Sequence, residues 1–338
     1  MLEILCYMGS LMREFFRPKV IVSRCLGFDH CRYNGNIINS SIVANLMEYV
    51  DFLPVCPEVE IGLGVPRDSL RIILDNGEQR LVQSASGRDV TEAMEAFCTD
   101  FLGSAGEIDG FILKYRSPSC GIKDVKVYPT TSLKSAVIGK TSGYFGRAVL
   151  KEFSYLPVED EGRLRNTRIK EHFMTRIFML AAFRKVKSEG RMRDLVAFHT
   201  ENKYLLMVYS QEELKKLGAI VANKEQKTFQ ELISEYEKHL YSSLSRPPRY
   251  TSSINVLMHA FGHFSERLSN QEKALFFGWI QKYRNGKVSL CPAISIIRSW
   301  AVRFEDQYLT NQTFFEPYPE GLMEVDPVNS HLRNDLWK

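Results

Sequence analysis

A chain of 338 residues has room for two domains, and 44% hydrophobic with 25% charged residues excludes a disordered or fibrous protein. The formal charge of +4 does not by itself demand a polyanionic partner. No apolar run approaches the roughly 20 residues that span a bilayer, and seven cysteines in so long a chain are not the dense scaffold of a small secreted domain.

Glu3 stands where a signal peptide would carry positive charge, and Arg13, Arg17 and Lys19 follow the first apolar stretch instead of preceding it. The expectation is a cytoplasmic protein with no membrane association, and residues 1–17 read as an extension ahead of the first domain. The β-branched run 19–24 predicts a first strand. It leads into the loop 25–35, which holds Cys25, Cys31 and two glycines. Asn39 or Ser40 can cap a helix carrying Ile42, Val43, Leu46, Met47 and Val50 at helical spacing. Residues 52–55 predict a second, buried strand, followed by a second loop, 56–67, that starts at Cys56.

Residues 70–74 and 79–83 flank Asn76-Gly77 and predict a hairpin. A helix is expected over 89–102 and a buried strand over 110–114. Ser117, Pro118 and Gly121 then break the chain into a tight loop around Cys120. A short strand over 125–128 and a helix over 144–153 close this half. Strands alternating with helices predict a mostly parallel, three-layer α/β sheet, whose ligands gather at the carboxyl ends of the strands. Cys25, Cys56 and Cys120 all fall there.

The pattern changes after residues 156–162, which read as a junction. Helices are expected over 167–187, 191–198, 201–207, 211–222, 225–243, 252–264, 269–285 and 290–305. The tail 314–319 reads as extended, and the last ten residues as unstructured. The domain expectation is 18–155 for an α/β unit and 163–325 for an all-α unit.

Thiolates are the usual ligands of zinc and of iron–sulfur clusters. Structural zinc sites use closely spaced pairs, whereas these three cysteines sit in separate loops more than twenty residues apart. That spacing suits a cluster held by three cysteines with one iron open, a soft Lewis acid that prefers sulfur. Cys6, Cys98 and Cys291 read as small core residues. Cys31 is open between a fourth ligand and a bystander. His259 and His263 are four apart on a helix without the Glu of a zinc-protease pattern, and read as a satisfied pair of packed or surface histidines.

Residues 163–193 hold ten Lys/Arg and two acids, so this stretch is +8 and the rest of the chain −4. Such a stretch suits a phosphate backbone. Phe173, Phe178 and Phe183 interleave it at helical spacing and read as core.

Residues 23–27, 31–35, 54–58, 62–67 and 116–121 (Arg-Ser-Pro-Ser-Cys-Gly) together resemble the thiouracil desulfidase (TudS) family. The helical half resembles the YbgA-like domain through residues 168–173, 198–199, 203–207 and 316–319. The fused arrangement is similar to the RudS-type enzymes that remove sulfur from 4-thiouridine in tRNA. One departure is Asn34, where the family often has Asp; Asn keeps the turn geometry. The resemblance implies a 4Fe–4S cluster on Cys25, Cys56 and Cys120, and a non-redox desulfidase that gives uridine and hydrosulfide. It implies proton handling by residues next to the ligands: Glu58 as general acid/base and Ser119 as relay. Lys114, Ser117 and Arg67 are candidates to bind substrate, each with a structural salt bridge or hydrogen bond as the competing role. tRNA is the expected partner, through residues 163–193. A desulfidase of free thiouracil or thiouridine, and a non-enzymatic iron–sulfur or RNA-binding regulator, are the alternatives.

Overall fold

The computed structural model describes residues 13–132 and 134–323. The chain divides into two units, with the boundary between Ala181 and Ala182; Gly321 onward returns to the first unit.

The first unit carries two sheets. Its elements in order are β1 (Lys19–Ser23), α1 (Ser41–Leu46), β2 (Asp51–Val55), α2 (Pro57–Glu60), β3 (Leu70–Asp75), β4 (Glu78–Gln83), α3 (Thr91–Gly103), β5 (Gly110–Leu113), β6 (Val125–Tyr128), β7 (Gly139–Thr141), α4 (Tyr144–Glu152) and β8 (Val158–Asp160). A 3-10 turn, Arg163–Arg165, leads into α5 (Thr167–Glu189). The first sheet has the order β2-β1-β5-β8 and every pairing is parallel. Val20, Ile21 and Val22 of β1 and Phe111, Ile112 and Leu113 of β5 are fully buried, as expected where both faces of a parallel sheet are covered. Four parallel strands place four carboxyl ends along one edge, so the chain following β1, β2, β5 and β8 meets there.

The second sheet, in the order β4-β3-β6-β7, is mixed. The β3–β4 hairpin turns at Asn76 (φ 49°) and Gly77 (φ 85°), both left-handed as the Asn-Gly signal requires. Phe97 and Phe101 of α3 stack at 5.4 Å and pack against Phe145 of α4.

Several expectations need correction. Strand β2 is an edge strand with Leu53 exposed, not a buried one. Pro54, which cannot donate to a central ladder, is the sequence sign of that edge. Strands β7 and β8 had not been expected, and β8 lies in the stretch read as the domain junction. In the stretch read as an extension, Phe15 packs edge-on against Phe178 and Arg17 Nε donates to Asp51 at 2.7 Å. Residues 1–12 and the last ten lie outside the described residues.

The second unit is helical: α6 (Met192–Tyr209), α7 (Gln211–Ala222), α8 (Phe229–Ser243), α9 (Tyr250–Gly262), α10 (Asn270–Arg284), α11 (Cys291–Arg303) and α12 (Gln307–Thr310). The two helices expected over 191–207 are one, because no Gly or Pro interrupts them. Helix α8 starts four residues later than expected. Asn223 and Gln226 adopt positive φ, and the Thr228–Glu231 capping box then sets the start. Ser269 and Glu272 cap α10 in the same way. Phe183, Phe198 and Tyr236 form one aromatic core, and Phe261, Phe264, Phe276 and Trp300 another. The tail expected to be extended over 314–319 begins in a 3-10 turn, Thr313–Phe315. It is held by Gln312, whose amide nitrogen donates to Thr200 O and whose oxygen accepts from Tyr204 N–H. Among the described residues no helix is long and apolar enough to cross a membrane.

Candidate active site

Three loops at the carboxyl edge of the parallel sheet line one cavity of about 210 Å³. Cys25 and Cys31 come from the loop after β1, Cys56 from the end of β2, and Cys120 from the loop after β5. Cys56 is the residue that opens α2, with Pro57 at its first helical position. That short helix sets Glu58 two residues beyond the thiol, and Glu58 lines the same cavity.

The loop around Cys120 is pinned by glycines that sequence reasoning had not singled out. Gly143 N–H donates to Gly121 O at 2.7 Å, and Gly146 N–H to Ser119 O at 3.1 Å. A Cβ on Gly146 would lie 2.5 Å from Gly121 O, and one on Gly143 2.5 Å from Ser119 O. The first turn of α4 therefore lies directly against the Ser119–Cys120–Gly121 backbone. The sequence signal was a Gly at each end of 143–146, just where the helix was expected to start.

Glu58 and Ser119, sixty-one positions apart, are hydrogen-bonded: Ser119 Oγ donates to Glu58 Oε1 at 2.6 Å. Ser117 Oγ accepts the N–H groups of Ser119 and Cys120 and lies 2.9 Å from Ser119 Oγ. With its acceptor capacity filled by two amides, Ser117 donates to Ser119. The chain thus runs Ser117 to Ser119 to Glu58 in one direction. Arg67 closes it from the other side, with Nε and Nη2 on Glu58 Oε2 at 2.9 and 2.6 Å and Nη1 on Cys31 O and Gly64 O. Arg67 is nearly inaccessible, its side chain 3% exposed.

The structure thus brings Glu58, Ser119, Ser117, Arg67, Cys25, Cys31, Cys56 and Cys120 to one cavity. Arg67 and Ser117, candidates for substrate contact or for a structural role, are hydrogen-bonded to Glu58 and to the loop amides. Lys114 lines the cavity and is ion-paired to Glu161, which also accepts Tyr115 N–H at 2.7 Å. Glu161 had been missed, because the acidic run 159–161 read as a linker. Ser23, whose Oγ accepts Lys114 N–H at 2.9 Å, was missed as well.

The thiols raise one another's pKa. A hydrogen bond with Cys25 pushes Cys31 up to about 11. The Cys31 hydrogen bond and burial push Cys56 strongly up. Burial pushes Cys120 up to about 12, partly offset by hydrogen bonds from Ser23 and Ser119. Buried thiols that are hard to ionise together need a cation to become thiolates. Among the described residues no three His, Cys, Asp or Glu converge to hold a single metal ion. Separate thiols spread around one cavity fit a polynuclear group, whose ligands bind different atoms.

Other expectations fall elsewhere. Cys98 is buried mid-helix. Cys291, expected in a core, is exposed at the start of α11. Cys6 lies outside the described residues. His263 lies 3.1 Å from Asp306 Oδ2 and 3.2 Å from Tyr204 OH, so both ring nitrogens are used within the fold. Phe173, Phe178 and Phe183 are buried. Cations in 163–193 are drawn into ion pairs within the fold, among them Arg163 with Glu159, Lys185 and Arg191 with Glu189, Lys187 with Glu237, and Arg193 with Asp194. The +8 count overstates the accessible charge because Glu159 and Asp194 lie just outside the stretch counted and Glu237 comes from α8.

Residues 20–161 match the family model described as 2-thiouracil desulfurase, and residues 203–319 match that of a protein of unknown function, DUF1722. The chain is 38% identical over 109 residues to the uncharacterized protein YbbK of Bacillus subtilis (strain 168), covering 30% of this chain and 72% of YbbK. It is 29% identical over 154 residues to the uncharacterized protein YbgA of Escherichia coli (strain K12), covering 45% of this chain and 91% of YbgA. Among solved structures it is similar to a 4Fe-4S-dependent thiouracil desulfidase, TudS, at 31% identity and a TM-score of 0.36, over 44% of this chain and 94% of that one.

Proposed function

Because the chain belongs to the 2-thiouracil desulfurase family, we propose that its first unit is a non-redox desulfidase that converts 4-thiouridine in tRNA to uridine. The reaction replaces a thiocarbonyl by a carbonyl: one water is consumed, the carbon–sulfur bond breaks, and sulfur leaves as hydrosulfide with one proton. No electron donor is required. The observation that carries the reading is the hydrogen-bonded chain Ser117–Ser119–Glu58–Arg67, set in the same cavity as the cysteines.

Cys25, Cys56 and Cys120 would hold a 4Fe–4S cluster, which supplies a thiophilic Lewis acid for the departing sulfur. The remaining chemistry falls to this chain's own side chains. Glu58, fixed by Arg67 through Oε2, keeps Oε1 for proton traffic and deprotonates the attacking water directly or through Ser119. Ser119 passes a proton to the departing sulfur or the ring nitrogen. Ser117 orients the Ser119 hydroxyl. Lys114, held by Glu161, orients the base at the cavity wall.

The test is sulfur release by the anaerobically prepared, cluster-loaded protein from 4-thiouridine-containing tRNA and, separately, from free thiouracil. Loss of the thio-base absorbance with stoichiometric hydrosulfide is expected. Absence of both, with the cluster intact, refutes the reading. A second reading is favoured by Cys31, which is buried and hydrogen-bonded to both Cys25 and Cys56. As a fourth ligand it would close the cluster and make the protein an iron–sulfur regulator. Retention of the cluster in Cys31→Ala argues against that.

A further inference from the structure

Ser23 is a buried residue shared by the three cysteine loops. It ends β1, which lies between β2 and β5, the strands that lead to Cys56 and Cys120. It stands two residues before Cys25, and its carbonyl accepts Leu26 N–H at 2.9 Å, which closes the turn holding that cysteine. Its register partner is Val55, the residue before Cys56, and Arg24 N–H donates to Val55 O at 2.8 Å. The β1–β5 register ends at Val22 and Ile112. Just past the end of β5, Lys114 N–H donates to Ser23 Oγ at 2.9 Å. Ser23 is 1% exposed and lines the same cavity as the cysteines.

These backbone contacts explain a small residue at this position, but not a hydroxyl. A buried hydroxyl costs free energy unless its hydrogen bonds are made, and it carries one hydrogen and two acceptor positions. The Lys114 amide fills one acceptor position and leaves the hydrogen unused. The Cys120 thiol is the hydrogen-bond partner for it. Cys120 has a second hydroxyl neighbour, Ser119 Oγ at 3.8 Å, but that hydrogen goes to Glu58 Oε1 at 2.6 Å, a much shorter contact. Ser117 Oγ serves the backbone N–H of Cys120, at 3.1 Å. Of the two serines beside the sulfur, Ser23 is therefore the one with a hydrogen to give it. A thiol accepts such a bond weakly, whereas a thiolate accepts it with the added strength of its charge. The Ser23 hydroxyl thus acts in full only when Cys120 ligates a cation.

We propose that Ser23 is a positioning residue for the iron–sulfur group: it donates its hydroxyl hydrogen to Cys120 Sγ while it accepts Lys114 N–H, and so fixes this ligand and draws charge from its sulfur. The proposal rests on the reading of Cys120 as a cluster ligand and extends it to a residue that acts through that ligand. A donor on a ligating sulfur favours the electron-rich state of an iron–sulfur group. A partner behind a metal ligand also strengthens retention of the metal by about tenfold or more. Retention matters to a desulfidase because its product, hydrosulfide, is a soft anion that competes with cysteine for iron. A sulfur held both by its own loop and by Ser23 is less readily exchanged for it. The two serines divide the work: Ser23 holds the anchor, and Ser119 keeps its hydrogen for Glu58.

The test uses the full-length, anaerobically cluster-loaded protein and needs no turnover. Ser23→Thr and Ser23→Val share one shape and differ in the hydroxyl, and Ser23→Ala removes the hydroxyl with the least crowding. Two quantities are measured: the midpoint potential of the cluster, by redox titration followed in the visible spectrum, and the rate of iron loss to a chelator. Ser23→Val and Ser23→Ala should have a lower midpoint potential than wild type and lose iron about tenfold faster. Ser23→Thr should match wild type in both. Ser119→Ala, whose hydrogen is committed to Glu58, should move the potential less than Ser23→Ala does. If the branched side chains are not tolerated at this buried position, Ser23→Ala against Ser119→Ala decides. The proposal is overturned if the potentials of the Val and Ala variants equal that of wild type, even where iron is lost faster, because the hydroxyl then serves only the Lys114 amide. It is also overturned if Ser119→Ala lowers the potential as much as Ser23→Ala. Sulfur release is assayed separately, so that the two readings can fail apart. No release from any thio-base, with the dependence on Ser23 intact, refutes the desulfidase alone. Release without that dependence refutes the Ser23 assignment alone. Retention of iron in Cys120→Ala removes the ligand and the proposal with it.

Discussion

The Arg67–Glu58 pair offers the sharpest physical test of the site. Arg67→Met removes two charge-assisted hydrogen bonds, at 2.9 and 2.6 Å, from a carboxylate only 12% exposed. Breaking a buried pair by deleting one partner costs about 3–5 kcal/mol. Some rehydration of Glu58 through the open cavity lowers this to about 2–4 kcal/mol. Arg67 also donates to Cys31 O and Gly64 O, both at 2.9 Å, so its loss should cost more than Glu58→Met, by about 1–3 kcal/mol for the orphaned carbonyls. In a unit of this size that corresponds to a fall in Tm of roughly 5–15 °C. The double variant Glu58→Met/Arg67→Met removes both charges and should be less damaged than the two single effects added together. Urea or thermal unfolding of the four proteins gives a double-mutant cycle, with an expected coupling of about 2 kcal/mol. A coupling within about 0.5 kcal/mol of zero would mean that the carboxylate does not depend on Arg67, and the argument that Arg67 positions Glu58 fails.

Further outcomes follow from the same geometry. Glu58→Gln and Ser119→Ala should retain iron and the visible cluster absorbance while sulfur release falls about a hundredfold or more; retention of full turnover in either removes that residue from the proton path. Cys25→Ala, Cys56→Ala and Cys120→Ala should each lose bound iron, measured by metal analysis, and Cys31→Ala should keep it. Gly146→Ala, whose new methyl would press on the Gly121 and Cys120 carbonyls, should lower both stability and iron content, whereas Gly139→Ala, with open space around it, should change neither. His172 is pushed from its ordinary 6.5 down to about 4 by burial, with Arg176 and Arg168 adding repulsion. The folded state therefore resists protonation that the unfolded chain accepts. Stability should be unaffected above pH 6.5 and fall as pH drops towards 4, by up to about 3 kcal/mol. His172→Gln should flatten that slope in denaturant titrations at pH 7, 5.5 and 4.5.

The sequence made much of the fold and site readable, for identifiable reasons. The hydrophobic runs at β1 and β5 and the Asn-Gly turn are local signals strong enough to survive tertiary context, and the three cysteine loops followed from where those strands end. Pairings between distant residues were not readable. Glu58 and Ser119 were each chosen for nearness to a cysteine; that they touch each other depends on β1, β2 and β5 being parallel neighbours, which no local pattern states. Arg67 stayed open between substrate contact and a structural salt bridge because the sequence does not show that its guanidinium folds back on Glu58. Strand β8 is three residues long and acidic, so nothing in its composition marks a strand; it exists because β5 offers it an edge. Charge counting failed in the same way along 163–193, where Glu159, Asp194 and Glu237 neutralise cations counted as available.

The packing of the loop that holds Cys120 supports the role proposed for it. A nucleophilic cysteine needs an accessible thiol that ionises near neutral pH. Cys120 is 5% exposed, and burial pushes its thiol up to about 12, neither of which suits a nucleophile. Its loop is nevertheless fixed with unusual economy of space. Tyr144 N–H donates to Pro118 O, Gly146 N–H to Ser119 O and Gly143 N–H to Gly121 O, and both glycines lie where a methyl group would collide. Such packing holds one atom in one place, which is what a ligand of a fixed group requires and what a mobile nucleophile does not. The adjacent Ser119 hydroxyl, by contrast, accepts from Ser117 and donates to Glu58, so it can pass a proton without moving its backbone. On the function proposed above, Cys120 would serve as an anchor and Ser119 as the reactive member of the loop. This assignment predicts that Cys120→Ser, which keeps the shape but replaces a soft donor by a hard one, loses iron more readily than it loses the fold.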